Sequence, residues 1–244
     1  TPADAHTSLR FLNLVQPSPI GSPVGVGVFY DGGAPTDRYA RLIEDPTQAG
    51  NRVLAFWMAN AVIDAGNGHT KGRIQTDFSP GASSTITSLC TRQRLYVHPD
   101  VGLLANYPPA NDPWWIGMVI QELWLGASWQ AHPNAARIGV IIAPLAGTLR
   151  FVLEAQRMPS FEPIWGATAG DYEVPVGQWL TVVMRYRQGN ASTGRFVLIV
   201  QADSEPNPTT ISDITNWTYD PAADQPGGTG PVPLTNWQPH KLYS

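Results

Sequence analysis

Charge and cysteine are both scarce in this chain of 244 residues. Asp, Glu, Lys and Arg make up 14% of it, against about 25% in average usage, which argues against coiled coils and charge-rich helical bundles. The single Cys90 excludes an intramolecular disulfide and any cysteine-cluster metal site. No run approaches the roughly 18 uninterrupted apolar residues of a membrane-spanning helix, so no membrane span is expected. The formal net charge of −4 and pI near 5.7 offer no general attraction for nucleic acid or an anionic bilayer, and neither is expected as a partner. Paired histidines at zinc-ligand spacing, a G-x-S-x-G nucleophile elbow, an EF-hand loop and a glycine fingerprint opening a helix are also missing. No metal or other cofactor is expected to be required. An oxygen-ligated calcium on Asp31, Asp45 or Asp203 would be a structural ion.

What the chain does have is aromatic bulk and punctuation: nine Trp, eight Tyr, seven Phe, 23 Gly and 23 Pro. The aromatics carry far more buriable surface than a disordered chain. Short apolar runs recur between turn residues at 24–30, 52–63, 71–78, 87–98, 115–125, 137–143, 148–157, 178–187 and 195–202. That spacing fits an antiparallel, all-β sandwich or barrel; together with the sorting of side chains onto faces it predicts a β-sandwich of jelly-roll type with two antiparallel sheets. Residues 37–45 and 99–106 could each hold a turn or two of helix, and no segment has a sustained 3.6-residue stripe. Residues 220–233 (DPAADQPGGTGPVP) read as a surface loop, because too few residues follow to form a second domain. Residues 1–244 are therefore expected to form one domain. The first residue is Thr1 and sequons stand at Asn190 and Asn216, which together point to a processed, secreted protein.

Successive side chains of a strand point to opposite faces, and sorting them exposes a pattern. In 91–98, Leu95 and Val97 share one face while Arg92, Arg94, Tyr96 and His98 line the other. In 71–78, Lys71, Arg73, Gln75 and Asp77 oppose Ile74, Thr76 and Phe78. In 148–156, Arg150, Val152, Glu154 and Gln156 lie outward from a core face of Leu149, Phe151, Leu153 and Ala155. A solvated sheet face accounts for such alternation. A concave sheet gripping a polar polymer accounts for it too, with rings stacking on sugars and planar guanidinium and amide groups bonding hydroxyls and carboxylates. Trp114, Trp115, Trp124 and Trp129 gather around one strand and its following turn, which favours a groove.

Two constellations carry chemistry. In Gln121-Glu122-Leu123-Trp124, Glu122 shares a face with Ile120 and Trp124, and Gln121 with Val119 and Leu123, so one of the two polar side chains points at the core or into a lined groove. Glu122 is either a glycosidase carboxylate, needing a second carboxylate nearby, or a structural partner of an arginine. Glu154 and Asp77 are the candidates for that second group. Arg94, Tyr96 and His98, at i, i+2 and i+4, provide the parts for β-elimination of a uronic acid. That reaction needs a group to neutralise the carboxylate, a base for the C5 proton and an acid for the leaving oxygen.

The ordered words Gly72-Arg-Ile-Gln75, Gln93-Arg-Leu-Tyr-Val-His-Pro99, Trp114-Trp115 with Gln121-Glu-Leu-Trp124, Val174-Pro-Val-Gly-Gln-Trp179, Gly194-Arg-Phe196 and Pro239-His-Lys-Leu-Tyr243 resemble secreted polysaccharide lyases of the heparin-lyase and glucuronan-lyase kind. These are β-jelly-roll proteins related to concanavalin A-like lectin and glucanase domains. The resemblance runs from about Arg52 onward. It implies a jelly roll whose concave sheet binds a uronate polysaccharide, with Arg94 and Gln121 contacting the carboxylate, His98 as base and Tyr96 or Tyr243 as acid. It further implies Lys241 on the anion; the sorting of strand faces adds Arg92, Arg73, Gln75 and Trp124 as contacts along the substrate. A β-glucan hydrolase using Glu122 and a non-catalytic carbohydrate-binding module or lectin are the alternatives. The polysaccharide is the expected partner, and the chain is expected to act as a monomer. The alginate-lyase words (R-S-E-L-R, Q-I-H and Y-F-K-A-G types) are absent, and Ser244 follows Lys-Leu-Tyr directly where many such domains continue into another strand; a missing edge strand would leave Lys241 and Tyr243 poorly fixed.

Overall fold

The computed structural model describes residues 25–31, 38–58, 71–77, 87–106, 117–125, 135–158, 160–168, 171–221 and 239–243. These form antiparallel strands and one 3-10 helix, in two compact units made of residues 1–80 with 241–244, and of 81–240. The Trp114, Trp115 and Trp129 cluster and most of the 220–233 loop lie outside the described residues.

In the smaller unit, β1 (Gly25–Asp31) pairs with β4 (Lys71–Asp77) from Gly25 opposite Asp77 to Asp31 opposite Lys71. The other edge of β4 takes the last strand, β13 (Pro239–Tyr243), with Lys241 opposite Asp77 and Tyr243 opposite Gln75. The backbone of Lys241 and Tyr243 thus lies in a strand paired with β4. A separate pair joins β2 (Arg38–Glu44) to β3 (Arg52–Met58). Here the helical expectation for 37–45 fails. Nine residues make a marginal helix, whereas β3 offers Leu42 and Ile43 the cross-strand partners Leu54 and Val53. The intervening turn is tied by Asp45, whose Oδ1 accepts from the Thr47 amide and hydroxyl at 2.8 Å and whose Oδ2 accepts from Asn51 at 2.8 Å.

The larger unit is sandwich-like. Sheet I runs β6 (Met118–Leu125), β7 (Ala135–Leu145), β8 (Thr148–Met158), β9 (Pro163–Thr168). Sheet II runs β12 (Thr209–Thr215), β11 (Arg195–Ala202), β10 (Gln178–Arg187), β5 (Ser88–Val97). The 3-10 helix, Pro99–Asn106, follows β5 and lies against β7 and β8. Leu123, Ile138, Val140, Phe151 and Leu153 of sheet I and Leu180, Val182, Met184, Phe196, Leu198 and Val200 of sheet II are each 0–1% exposed. The two layers meet where Trp165 of β9 stands 6.0 Å from Phe196 of β11. Burying such side chains is the main favourable term in folding, and the strict alternation along β10 follows from it.

The β7–β8 turn uses Ala146 and Gly147, with φ of 50° and 79°. Positive φ at both central residues suits the twist of a two-residue hairpin. It sets Leu145 opposite Thr148 and so fixes every pair downstream. A bulge in β6 has a second effect on register: Val119 pairs with Ile141 and Gln121 with Val140, leaving Ile120 extra. The bulge puts Val119 on the face of Glu122 and not, as simple alternation implies, on that of Gln121.

Candidate functional site

The smaller unit gathers four of the expected site residues by backbone register alone. The ladder between β4 and β13 sets Lys241 opposite Asp77 and Tyr243 opposite Gln75. On the other side of β4, Gly27 stands opposite Gln75 and Gly25 opposite Asp77. A phenol, an amide, an ammonium and a guanidinium are thereby carried on adjacent strands, flanked by two positions without side chains.

In the larger unit, the face of sheet I turned away from sheet II carries a polar row. Glu122 of β6, Gly139 of β7, Glu154 of β8 and Gly166 of β9 lie in one register line, and Trp124, Arg137 and Gln156 lie in the next. Arg137 Nη1 donates to Glu122 Oε1 at 2.9 Å and its Nε to Gln156 Oε1 at 2.7 Å. Gln156 Nε2 passes on to Glu154 Oε2 at 2.9 Å, and Trp124 Nε1 reaches Glu122 Oε2 at 3.4 Å. The Arg137 guanidinium also lies 5.4 Å from the Phe161 ring centroid. Phe161 holds a φ of 61°, an uncommon conformation for a bulky residue. Glu122, Trp124 and Gln156 are buried. Glu122 and Glu154 are separated by one strand, or roughly 9–10 Å between backbones at about 4.8 Å per strand.

The i, i+2, i+4 group of β5 sits elsewhere, on the outer face of sheet II. Arg94 is clamped to Asp203 by two bonds of 2.6 Å and donates to Thr181 Oγ1 at 3.0 Å. Its guanidinium lies 5.6 Å from the Trp179 centroid. Tyr96 meets Trp179 edge-on at 5.4 Å and His98 at 6.5 Å. His98 is 63% exposed, and its Nδ1 lies 3.2 Å from the Asp100 amide and 3.4 Å from Asp100 Oδ2. The hydrogen bonds from Arg94 hold the Asp203 carboxyl below the ordinary aspartate value, and in return Asp203 offsets the charge of Arg94.

Within the larger unit the expected site residues do not converge. Gln121 is 1% exposed in the interior, donating to Thr91 Oγ1 at 3.3 Å from the inner face of β5. Arg94 lies on the outer face of that strand, so the two cannot contact one carboxylate. Glu122 and Trp124 lie on the far face of sheet I. Arg73, Gln75, Lys241 and Tyr243 belong to the other unit. Sequence reading paired Glu122 with no particular residue and passed over Arg137 as its partner. Counting back from a two-residue turn at Ala146-Gly147 finds it: eight residues either side of Leu145 and Thr148 lie Arg137 and Gln156. Among the described residues no three His, Cys, Asp or Glu side chains cluster as metal ligands. Comparison with protein-family models, curated proteins and solved structures finds no match to this chain.

Proposed function

We propose that this chain is a secreted polysaccharide lyase with a jelly-roll, concanavalin A-like fold, cleaving uronic-acid-containing polysaccharide by β-elimination. The observation that carries the proposal is the β13–β4 register, which pairs Tyr243 with Gln75 and Lys241 with Asp77, with Arg73 also on β4. Gln75 and Arg73 bond the uronate carboxylate and stabilise the charge that spreads onto it as the C5 proton leaves. Tyr243, starting as its phenolate, takes that proton, the C4–O bond breaks as the C4=C5 double bond forms, and the phenol so formed returns the proton to the departing glycosidic oxygen. Lys241 holds a neighbouring carboxylate. The reaction balances without oxidant or cofactor.

The test is a panel of acidic and neutral polysaccharides read both for the near-ultraviolet absorbance of an unsaturated sugar and for new reducing ends. The expected result is absorbance from a polyuronate, lowered about 10²- to 10⁴-fold by Tyr243→Phe, the usual worth of a positioned acid–base group. Full turnover in that variant, or no unsaturated product from any acidic chain, overturns the proposal.

A second reading, a glycoside hydrolase, is favoured by the Glu122–Gly139–Glu154 line. Inverting glycosidases hold two carboxyl groups about 6.5–9.5 Å apart, within reach of side chains rooted two strand spacings apart. It predicts reducing ends without absorbance, lost in Glu122→Gln or Glu154→Gln. Binding without turnover on every substrate would leave the lectin alternative.

A further inference from the structure

The outer face of sheet II carries Arg92 and Arg94 from β5, Arg185 and Arg187 from β10 and Arg195 from β11, all exposed. Two carboxylates on this face are committed: Asp203 to Arg94 and Asp213 to Arg195, by bonds of 2.6–2.8 Å. Arg187 gives its Nε to the Thr193 carbonyl at 2.9 Å. Among the described residues, Arg92 and Arg185 have neither an ion pair nor a side-chain hydrogen bond.

These two are diagonal neighbours, since Arg92 stands opposite Val183 and Arg185 opposite Cys90. Diagonal positions lie about 7–8 Å apart. Between and beside them the floor is half-buried Val183 and Ile199, paired across β10 and β11. At the end of the same face stand Tyr96 and Trp179. In a chain of net charge −4, unneutralised guanidinium groups on an open sheet face oppose the overall charge.

We propose that this face is an accessory binding surface for an acidic polysaccharide, separate from the β4–β13 residues. Arg92 and Arg185 each pair in bidentate fashion with a uronate carboxylate. Val183 and Ile199 accept the apolar ring faces between the charges. The choice of ligand rests on the lyase reading, but its readout is separate: affinity here, product absorbance there.

The experiment titrates the full chain with a soluble polyglucuronate and, in parallel, with a neutral β-glucan and a single-stranded oligonucleotide, at low and high salt. Arg92→Ser with Arg185→Ser is expected to weaken polyuronate binding by about tenfold or more at low salt and to flatten its salt dependence. The charge-retaining Arg92→Lys with Arg185→Lys variant keeps the salt dependence but loses part of the affinity, because an ammonium cannot make the bidentate pair, and it also reports on folding. Unchanged polyuronate affinity in the serine variant overturns the proposal. So does a loss confined to the oligonucleotide, which would make the face a nucleic-acid surface. Retained polyuronate binding together with no unsaturated product from any substrate would defeat the lyase reading alone.

Discussion

Glu122 Oε1 and Arg137 Nη1 lie 2.9 Å apart in side chains only 6% and 13% exposed. A pair this sheltered is expensive to break from one side, because the remaining charge stays buried without its partner. Arg137→Met is expected to cost about 3–5 kcal/mol of unfolding free energy, measured by urea denaturation. Glu122→Leu with Arg137→Met recovers most of that, since two apolar side chains of similar volume remove both charges together. A single variant that loses under about 1 kcal/mol would show that solvent reaches the pair, as it does for exposed ion pairs.

Asp203 gives a pH dependence of definite sign. The hydrogen bonds from Arg94 depress its folded pKa below the ordinary 3.8, so the stabilisation is complete above that value and is lost as pH falls through the folded one. Because the side chains are 44% and 53% exposed, the effect is at most about 1 kcal/mol and shrinks in salt. Asp203→Asn should lower stability at neutral pH and converge on the parent protein in strong acid. A difference that persists unchanged into acid assigns the role to the turn and not to the charge.

A turn beside β10 and β11 supplies a steric test. Asn190 Oδ1 accepts from the amides and hydroxyls of both Ser192 and Thr193 at 2.9–3.1 Å. The chain then passes through buried Gly194, where an added Cβ would collide with the Asn216 and Gly189 carbonyl oxygens. Both obstacles are backbone and cannot rotate away. Gly194→Ala should therefore destabilise by roughly 1–3 kcal/mol, as overpacking does, visible as a lowered melting temperature. Asn190→Ala separates the loss of the four hydrogen bonds from the collision.

The fold was legible wherever one face of a strand is buried and the other polar. The bounds of β10 and β11 match the sequence reading: β10 alternates strictly, and β11 is a compact apolar run that buries Phe196, Val197 and Leu198 in succession. Four strands were not legible, each for its own reason. β2 has helix-compatible residues and becomes a strand through its partner β3. β9 is short and opens on Pro163. β12 is a mostly exposed edge with polar residues. β13 follows a long run of Gly and Pro. The site was legible in residue type but not in placement. Alternation says which side chains share a face of one strand, whereas whether Arg94 and Gln121 share a space depends on which face of β5 meets β6. The β6 bulge, which no composition signal marks, moved Val119 across the sheet.

Gly139 separates the two enzymatic readings. It stands between Glu122 and Glu154 in the register line, and it is the position at which neither carboxylate has a side chain intervening. A hydrolase working on this line needs that gap for water and for the sugar between its two carboxyl groups. Gly139→Ala inserts a methyl there, while glycine to alanine within a strand removes some of the entropic cost of ordering the backbone. If hydrolysis is the activity, release of reducing ends should fall about 10-fold or more with the fold retained by circular dichroism, since small displacements of positioned groups cost on the order of 10²-fold. If elimination on β4 and β13 is the activity, the unsaturated product should form within about twofold of the parent rate, because the substitution removes no group that bonds or deprotonates the uronate. The same variant assayed for both products thus assigns the chemistry: loss of absorbance with Gly139→Ala would place elimination on sheet I and remove Tyr243 from its proposed role.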